Sequence, residues 1–132
     1  MNGPITVEVV EELSLSIFAV TGDVLVDEIV RVILEHFPEH RSDNSIWDLT
    51  EANLSVLTKD GIVRIAESGQ AVARFRRADG RTAIVVRRHV ERVLLKLYKA
   101  VDDSYGATRG FRFFDNRADA VAWIRDGTGG SR

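Results

Sequence analysis

The pattern of apolar and polar positions at the start of the chain predicts two adjacent strands. Apolar residues recur at every second position over residues 5–9 and again over 13–19, which is the spacing of strands. Glu11 and Glu12 lie between these two runs and have no place in either alternation. The chain is therefore predicted to open with a β-hairpin that turns near these two glutamates.

The next segment changes to a helical period and then returns to an extended one. From Val26 onward, apolar residues recur every three or four positions, which predicts an amphipathic helix. Asp23 is placed to cap this helix, and Pro38 is expected to end it. Residues 46–49 then predict a short buried strand whose end carries Asp48.

A second helix is predicted after Thr58, which is placed to cap it. The inward positions of this helix are Ile62, Ile65 and Ala66. Residues 70–76 fit either a continuation of the helix or a strand paired with the next one. We favour the helix, because Gly69 costs only about 1 kcal/mol in a helix interior.

The second half of the chain repeats the alternation of strand and helix. Residues 82–86 form a continuous apolar run of the kind found in a central strand that helices cover on both faces. A third helix is predicted over residues 90–101 and a last strand at 111–113. Asn116 is predicted to cap a final helix, with Asp119 at the capping-box position.

This order of elements predicts the α/β class. The expected architecture is a mixed, mostly parallel sheet of about five strands, opened by a hairpin and packed with about four helices. The 132 residues suit one domain, which we assign to residues 1–126. Residues 127–132 are glycine-rich and are predicted to form a flexible tail.

Charge and composition narrow the function classes. The chain has no cysteine, which excludes disulfides and thiolate metal sites, and the absence of an apolar span or leader pattern predicts a cytoplasmic protein without a membrane span. Residues 1–60 carry a net charge of −9 and residues 74–99 a net charge of +7. Because the acidic half would repel a duplex, we expect no nucleic-acid partner and interpret the basic stretch as a solvated face or a site for an acidic protein.

The motifs of common catalytic sites are missing from the sequence. No glycine-rich phosphate loop and no serine elbow of the GxSxG type occurs. His36 and His40 have the spacing of a helical metal pair, but Pro38 lies between them and breaks that geometry. We therefore expect no catalytic residues, no metal and no cofactor. An enzyme that uses Asp48 with a histidine ranks last among the hypotheses.

The sequence resembles a STAS-like domain of the SpoIIAA-like group, relatives of bacterial anti-sigma-factor antagonists, some of which are described as STAS/Sec14-type. The resemblance covers about residues 21–124. It depends on Gly22-Asp23, on Ile-Trp-Asp-Leu-Thr at 46–50, on Thr-Ala-Ile-Val-Val at 82–86, on Leu97-Tyr98, and most of all on the strand and alanine-rich helix of 111–124. The fold that it implies is the one predicted above.

The resemblance also implies a function and a site. It implies a non-enzymatic regulatory module that binds a protein partner, such as a kinase or an anti-sigma-like regulator, around the loop after the Asp48 strand. In antagonists this loop carries an Asp-Ser-Ser-Gly motif whose second serine is phosphorylated. Asp60 stands at that serine's position here, so the motif is degenerate, although Thr58 or Thr50 remains open to modification. The expected partner-binding residues are Asp48, Thr50, Thr58, Lys59, Asp60 and Gly61.

Two further expectations concern ligands and assembly. The alternative function is a carrier or sensor of a small apolar molecule or lipid, with a pocket lined by Phe37, Leu97 and Trp123. An exposed strand edge on the first hairpin would also permit a homodimer.

Overall fold

The described part of the chain contains five strands and three helices. The computed structural model describes residues 5–40, 42–75, 80–87, 96 and 110–129. The strands are β1 (Ile5–Val10), β2 (Leu15–Asp23), β3 (Asn44–Asn53), β4 (Arg81–Val85) and β5 (Gly110–Phe114), and the helices are α1 (Val26–Glu39), α2 (Lys59–Ala71) and α3 (Arg117–Gly129). The helix predicted over 90–101 lies outside the described residues, apart from Lys96.

All five strands form one sheet in the order β1-β2-β3-β4-β5. β1 and β2 are antiparallel, and each later neighbour is parallel. The hairpin turns through a short 3-10 segment at Glu11–Leu13, and Ser14 then takes the left-handed conformation with φ of 48°. This confirms the predicted mixed, mostly parallel sheet that a hairpin opens.

The helices divide between the two faces of the sheet. α1 and α2 pack on one face, where a buried cluster includes Phe18, Ile33 and Phe37. α3 covers the other face, where the buried cluster includes Ile46 and Ile124. β4 contributes to both clusters, so the prediction that residues 82–86 are covered on both faces is confirmed.

The start of α1 differs from the prediction. Asp23 does not cap the helix but is the last residue of β2, where its carboxylate accepts a hydrogen bond of 2.7 Å from the Asn53 side chain. Leu25 takes the N-cap position and supplies no side-chain cap. Pro38 lies inside the last turn and the helix ends one residue later. A proline there removes one N–H group but leaves room for a short final turn.

β3 is longer than predicted, and α2 is close to the prediction. β3 continues to Asn53 because β2 continues beside it to Asp23, past an irregularity between Ala19 and Thr21. The Thr58 hydroxyl accepts a hydrogen bond from the Gly61 amide, which confirms the predicted cap. α2 ends at Ala71 and a 3-10 turn follows at Ala73–Phe75. Over residues 70–75 the strand alternative is therefore wrong, and the favoured continuation of the helix is confirmed only as far as Ala71.

α3 begins as predicted and ends later. The Asn116 side chain accepts from the Asp119 amide at 2.9 Å, which confirms the predicted cap. The Asp119 carboxylate accepts from the Asn116 side-chain amide at 3.1 Å, whereas a capping box would use the Asn116 backbone N–H. The helix runs to Gly129 and so includes three residues that were assigned to the tail. None of the helices in the described ranges is long and apolar enough to cross a membrane.

Candidate functional site

The predicted partner-binding residues fall into two groups on different faces of the sheet. Asp48 and Thr50 belong to β3 and share the side of Ile46, which packs beneath α3. Thr58, Lys59, Asp60 and Gly61 belong to the start of α2, on the other face. Asp48 was predicted to end its strand, and this is wrong, because β3 continues for five residues beyond it.

Asp48 is the centre of a polar contact between β3 and α3. One carboxylate oxygen accepts from the Thr50 hydroxyl at 2.8 Å and from the Thr50 amide at 3.1 Å. The other oxygen accepts from Nη2 of Arg117 at 2.8 Å and from Nε at 3.1 Å. Arg117 is the first residue of α3, where a positive charge is unfavourable next to the helix dipole. Asp48 neutralises that charge and fixes the start of the helix.

The surroundings of Asp48 keep it ionised. Burial by itself would raise the pKa of Asp48, but the Thr50 hydrogen bonds and the Arg117 guanidinium together outweigh burial and hold this pKa below its usual value. The Asp48 side chain is only 13% exposed, whereas the Arg117 side chain is 42% exposed. Both oxygens of this carboxylate have hydrogen-bond partners within the chain, and Asp48 serves to attach α3.

The second group lies where the starts of α1 and α2 meet. A Cβ atom on Gly61 would lie 2.6 Å from a methyl group of Val26, so only glycine permits this approach. Arg64 of α2 also forms an ion pair with Asp27 of α1 at 2.7 Å. These contacts bring the first turns of α1 and α2 together, and Leu25 immediately precedes α1.

Local hydrogen bonds hold the loop between β3 and α2 in one conformation. The Asn53 side-chain oxygen accepts from the Ser55 amide at 3.1 Å and from the Ser55 hydroxyl at 2.7 Å. The Leu57 amide donates to the Leu54 carbonyl at 3.0 Å, and the buried Leu54 side chain anchors the loop in the core. With the Thr58 cap, these bonds leave little freedom between the strand and the helix.

Two apolar side chains that the sequence analysis missed are exposed at this loop. Leu25 is 51% exposed and Val56 is 48% exposed, and the neighbouring Thr58, Lys59 and Asp60 are also exposed. We call Leu25, Val56, Thr58, Lys59 and Asp60 the loop surface. The sequence contains only a weak indication of these exposed residues. Val56 is an apolar residue in a turn-rich segment, where no strand or helix requires one.

The predicted apolar pocket does not form between its two described members. Phe37 is buried in the cluster beneath α1, and Trp123 packs against the cluster beneath α3, so the sheet separates them. Leu97 lies outside the described residues. The expectation of a common pocket for Phe37 and Trp123 is therefore wrong. Apolar periodicity shows that a helix packs against the sheet, but it does not show against which face. The expectation failed because the chain topology places these two helices on opposite faces.

The two described histidines, His36 and His40, lie away from Asp48. The imidazole of His36 contacts the Ser16 hydroxyl at 2.7 Å on the α1 face, and the His40 ring stacks on His36 with 4.8 Å between centroids. Ser16 is also hydrogen-bonded to Ser42, which makes a buried polar network that the sequence analysis missed. His89 lies outside the described residues. Asp48 and His36 are on opposite faces, which removes the basis for a shared catalytic role.

The described part of the chain holds a small cavity and no cluster of metal ligands. No group of three or more metal-ligating side chains occurs among the described residues. A small open cavity of about 170 Å³ lies at the hairpin end of the sheet, where Glu11, Ser14, His40 and Ser42 line it together with apolar residues. Its lining is mixed, and it lies at the opposite end of β2 from the loop surface.

Comparisons with known proteins identify the fold. The anti-sigma factor antagonist SpoIIAA, in its unphosphorylated form, matches with a TM-score of 0.58 and 16% identity over 92% of this chain and 97% of that one. An uncharacterised DUF3478-family protein from Shewanella loihica PV-4, with a SpoIIAA-like fold, matches with a TM-score of 0.60 and 16% identity over 91% of each chain. No protein-family model matches the chain, and no curated protein matches it.

These likenesses show the class of fold. The antiparallel first pair, the parallel strands that follow and the helices on both faces are those of a SpoIIAA-like, STAS-type domain. The resemblance first seen in the sequence is thus confirmed for the fold, over most of the chain. At 16% identity it does not carry a partner or a mechanism to this chain.

Proposed function

We propose that this chain is a non-enzymatic regulatory module of the cytoplasm that binds a protein partner through the loop surface. The observation that carries the proposal is that Leu25 and Val56, which precede α1 and α2, are exposed, as are the charges of Lys59 and Asp60 in the first turn of α2. An apolar centre with a polar rim is the usual composition of a protein interface. The SpoIIAA-like fold supports a regulatory role, because one of the solved proteins that share it is an anti-sigma factor antagonist.

The rigidity of the loop also supports binding at this surface. Asn53, Thr58 and the buried Leu54 already fix the path of the chain, so a partner would find Val56 in its bound position. Preorganisation of this kind increases affinity, because less conformational entropy is lost on association. The loop surface therefore suits recognition better than the Asp48 contact, whose groups are occupied by α3.

The charge at Asp60 shapes the proposed regulation. Asp60 lies in the first turn of α2, where a negative charge is favourable. By the family resemblance it replaces a phosphorylatable serine, and a carboxylate cannot be phosphorylated by the same chemistry. We propose that the surface binds without a phosphorylation switch at position 60. Thr58 uses its hydroxyl as the helix cap, so modification there would remove that cap.

The proposal is tested by quantitative capture of partners from native extract, with three matched variants. Val56→Asp and Asp60→Lys change the loop surface, whereas Leu34→Asp changes a 43% exposed leucine on α1, nine residues along the chain from Leu25 and outside the loop surface. We expect each of the two loop variants to capture at least about tenfold less partner than the Leu34→Asp variant, which should capture as much as the wild-type chain. Equal capture by all three would remove the loop surface as the binding site.

A further inference from the structure

The first strand has a free side that lacks the usual protection against pairing. β1 lies at the end of the sheet, and no described strand pairs with the side that faces away from β2. Natural outer strands often carry a proline, a lysine or a bulge that prevents pairing with another chain. β1 reads Ile-Thr-Val-Glu-Val-Val over Ile5–Val10, with Glu8 as its only charge. This free side is available for another strand.

Apolar side chains lie beside this free side on the α1 face. Val7 pairs with Phe18 and Val9 with Ser16, so both valines point to the side where α1 packs. They are 41% and 39% exposed, because α1 covers β2 and leaves β1 open. His36 of α1 contacts Ser16 of β2, and Val32, one turn earlier, is half-buried on that side of the helix.

We propose that a second copy of this chain pairs antiparallel with β1 through a two-fold axis at Val7. The two five-stranded sheets then join into one sheet of ten strands, and the exposed valines of the two copies pack against each other. Directly opposed residues in a sheet point to the same face, so the register must pair odd with odd and even with even positions. That condition leaves few symmetric registers.

The charge on Glu8 selects among these registers. An axis at Val7 pairs Val7 with itself, Ile5 with Val9, and Thr6 with Glu8, whose carboxylate accepts from the threonine hydroxyl. An axis at Glu8 would oppose two carboxylates, which is unfavourable. An axis at Thr6 would oppose Glu8 to Pro4, which has no N–H to donate.

Self-pairing is favoured over a different partner strand because one sequence supplies both halves of every pair. In the register centred on Val7, every apolar residue lies opposite another apolar residue, and the Thr6 hydroxyl lies opposite the Glu8 carboxylate. No different protein is needed to supply these partners. The contact is small, so a dissociation constant on the order of 1–100 µM is expected. β1 contributes no residue to the loop surface, so this inference stands independently of the proposed function.

The absence of cysteine permits a direct test of the register. In Val7→Cys the two introduced thiols face each other, with Cα atoms about 5 Å apart, which suits a disulfide. In the control Val9→Cys, an equally exposed position, they lie about 13 Å apart along the strands and cannot join. Under mild oxidation we expect most of the Val7→Cys chains to form a linked dimer. Linking of Val9→Cys instead, or of neither, would overturn the proposal.

Sedimentation at concentrations up to about 200 µM tests the assembly without cross-linking. The wild-type chain is expected to approach twice its 14.7 kDa mass. Val7→Lys opposes two ammonium groups and should give a monomer, with folding checked by circular dichroism. Thr6→Lys places a cation opposite Glu8 twice, and should tighten the dimer about three- to tenfold. A monomeric wild-type chain, or a Val7→Lys variant that still dimerises, would refute the inference.

Discussion

The two faces of the sheet differ in the number of described apolar side chains that they bury and in the polar contacts that hold their helices. Among the described residues, twelve buried side chains form the cluster beneath α1 and α2, whereas seven form the cluster beneath α3. The smaller face adds specific polar contacts. Asp48 binds Arg117 at the start of α3, and Arg81 donates to the Trp123 carbonyl at 2.7 Å and packs over the Trp123 ring. These directional bonds help to position α3 on the sheet.

This difference separates structural from recognition residues. Asp48 and Thr50 are polar residues in a SpoIIAA-like fold, yet their hydrogen bonds are used within the chain to attach α3. On the other face the hydrogen bond between His36 and Ser16 adds to the larger described apolar cluster, and the start of α2 leaves Lys59 and Asp60 exposed. A polar residue on a strand is therefore a weaker sign of a binding site than an exposed residue on a loop with a fixed conformation.

The largest expected effects come from truncating each apolar cluster. Phe18 is fully buried and stacks on Trp47 with 4.2 Å between ring centroids, so Phe18→Ala should lower the free energy of unfolding by about 3–5 kcal/mol. Ile124→Ala, on the smaller face, should cost about 2–4 kcal/mol. Urea unfolding compares the two. A greater loss at Ile124 than at Phe18 would contradict the ranking of the faces.

A smaller effect is expected where α1 and α2 meet. Gly61→Ala adds a methyl group against Val26, which should cost about 1–2 kcal/mol after the gain in helix propensity is deducted. The double variant Gly61→Ala, Val26→Ala removes the obstructing methyl and should recover part of that loss relative to Val26→Ala alone. Additive effects in urea unfolding would show that the approach of the two helices is not what requires glycine.

The Asp48 contact should contribute about 1 kcal/mol, with a defined pH dependence. Because the pKa of Asp48 is lowered in the folded chain, its stabilisation is present above the unfolded pKa of about 4 and is lost as pH falls through the folded value. Asp48→Asn should therefore differ from wild type at pH 7 and converge with it as the pH falls below the folded pKa of Asp48. Asp60→Asn, on the exposed loop surface, is the control. A constant difference across this range would exclude the linkage.

Much of the fold could be predicted from the sequence because the starts of strands and helices depend on residues that are close together along the chain. The alternation before Glu11 predicts β1, the hydroxyl of Thr58 predicts the start of α2, and Asn116 with Asp119 predicts the start of α3. Each signal depends on residues within one or two turns. The elements outside the described ranges, including the helix at 90–101, remain predictions.

The rest depends on contacts between residues that are distant in sequence. Arg117 is 69 residues from Asp48, so the pairing that makes Asp48 structural cannot be found from spacing. The length of β3 likewise depends on β2 beside it, and Phe37 and Trp123 were separated by the choice of sheet face. The family resemblance predicted the part of the loop surface at the start of α2. Leu25 and Val56 were added only because the structure shows that they are exposed.

The most direct test measures stability and partner capture together for Asp48→Asn and Val56→Asp. The account predicts opposite behaviour: Asp48→Asn loses about 1 kcal/mol of unfolding free energy and retains capture, while Val56→Asp stays within about 0.5 kcal/mol of wild type and loses capture about tenfold or more. Loss of capture by Asp48→Asn at full stability, with capture by Val56→Asp unchanged, would contradict the assignment of the binding site to the loop.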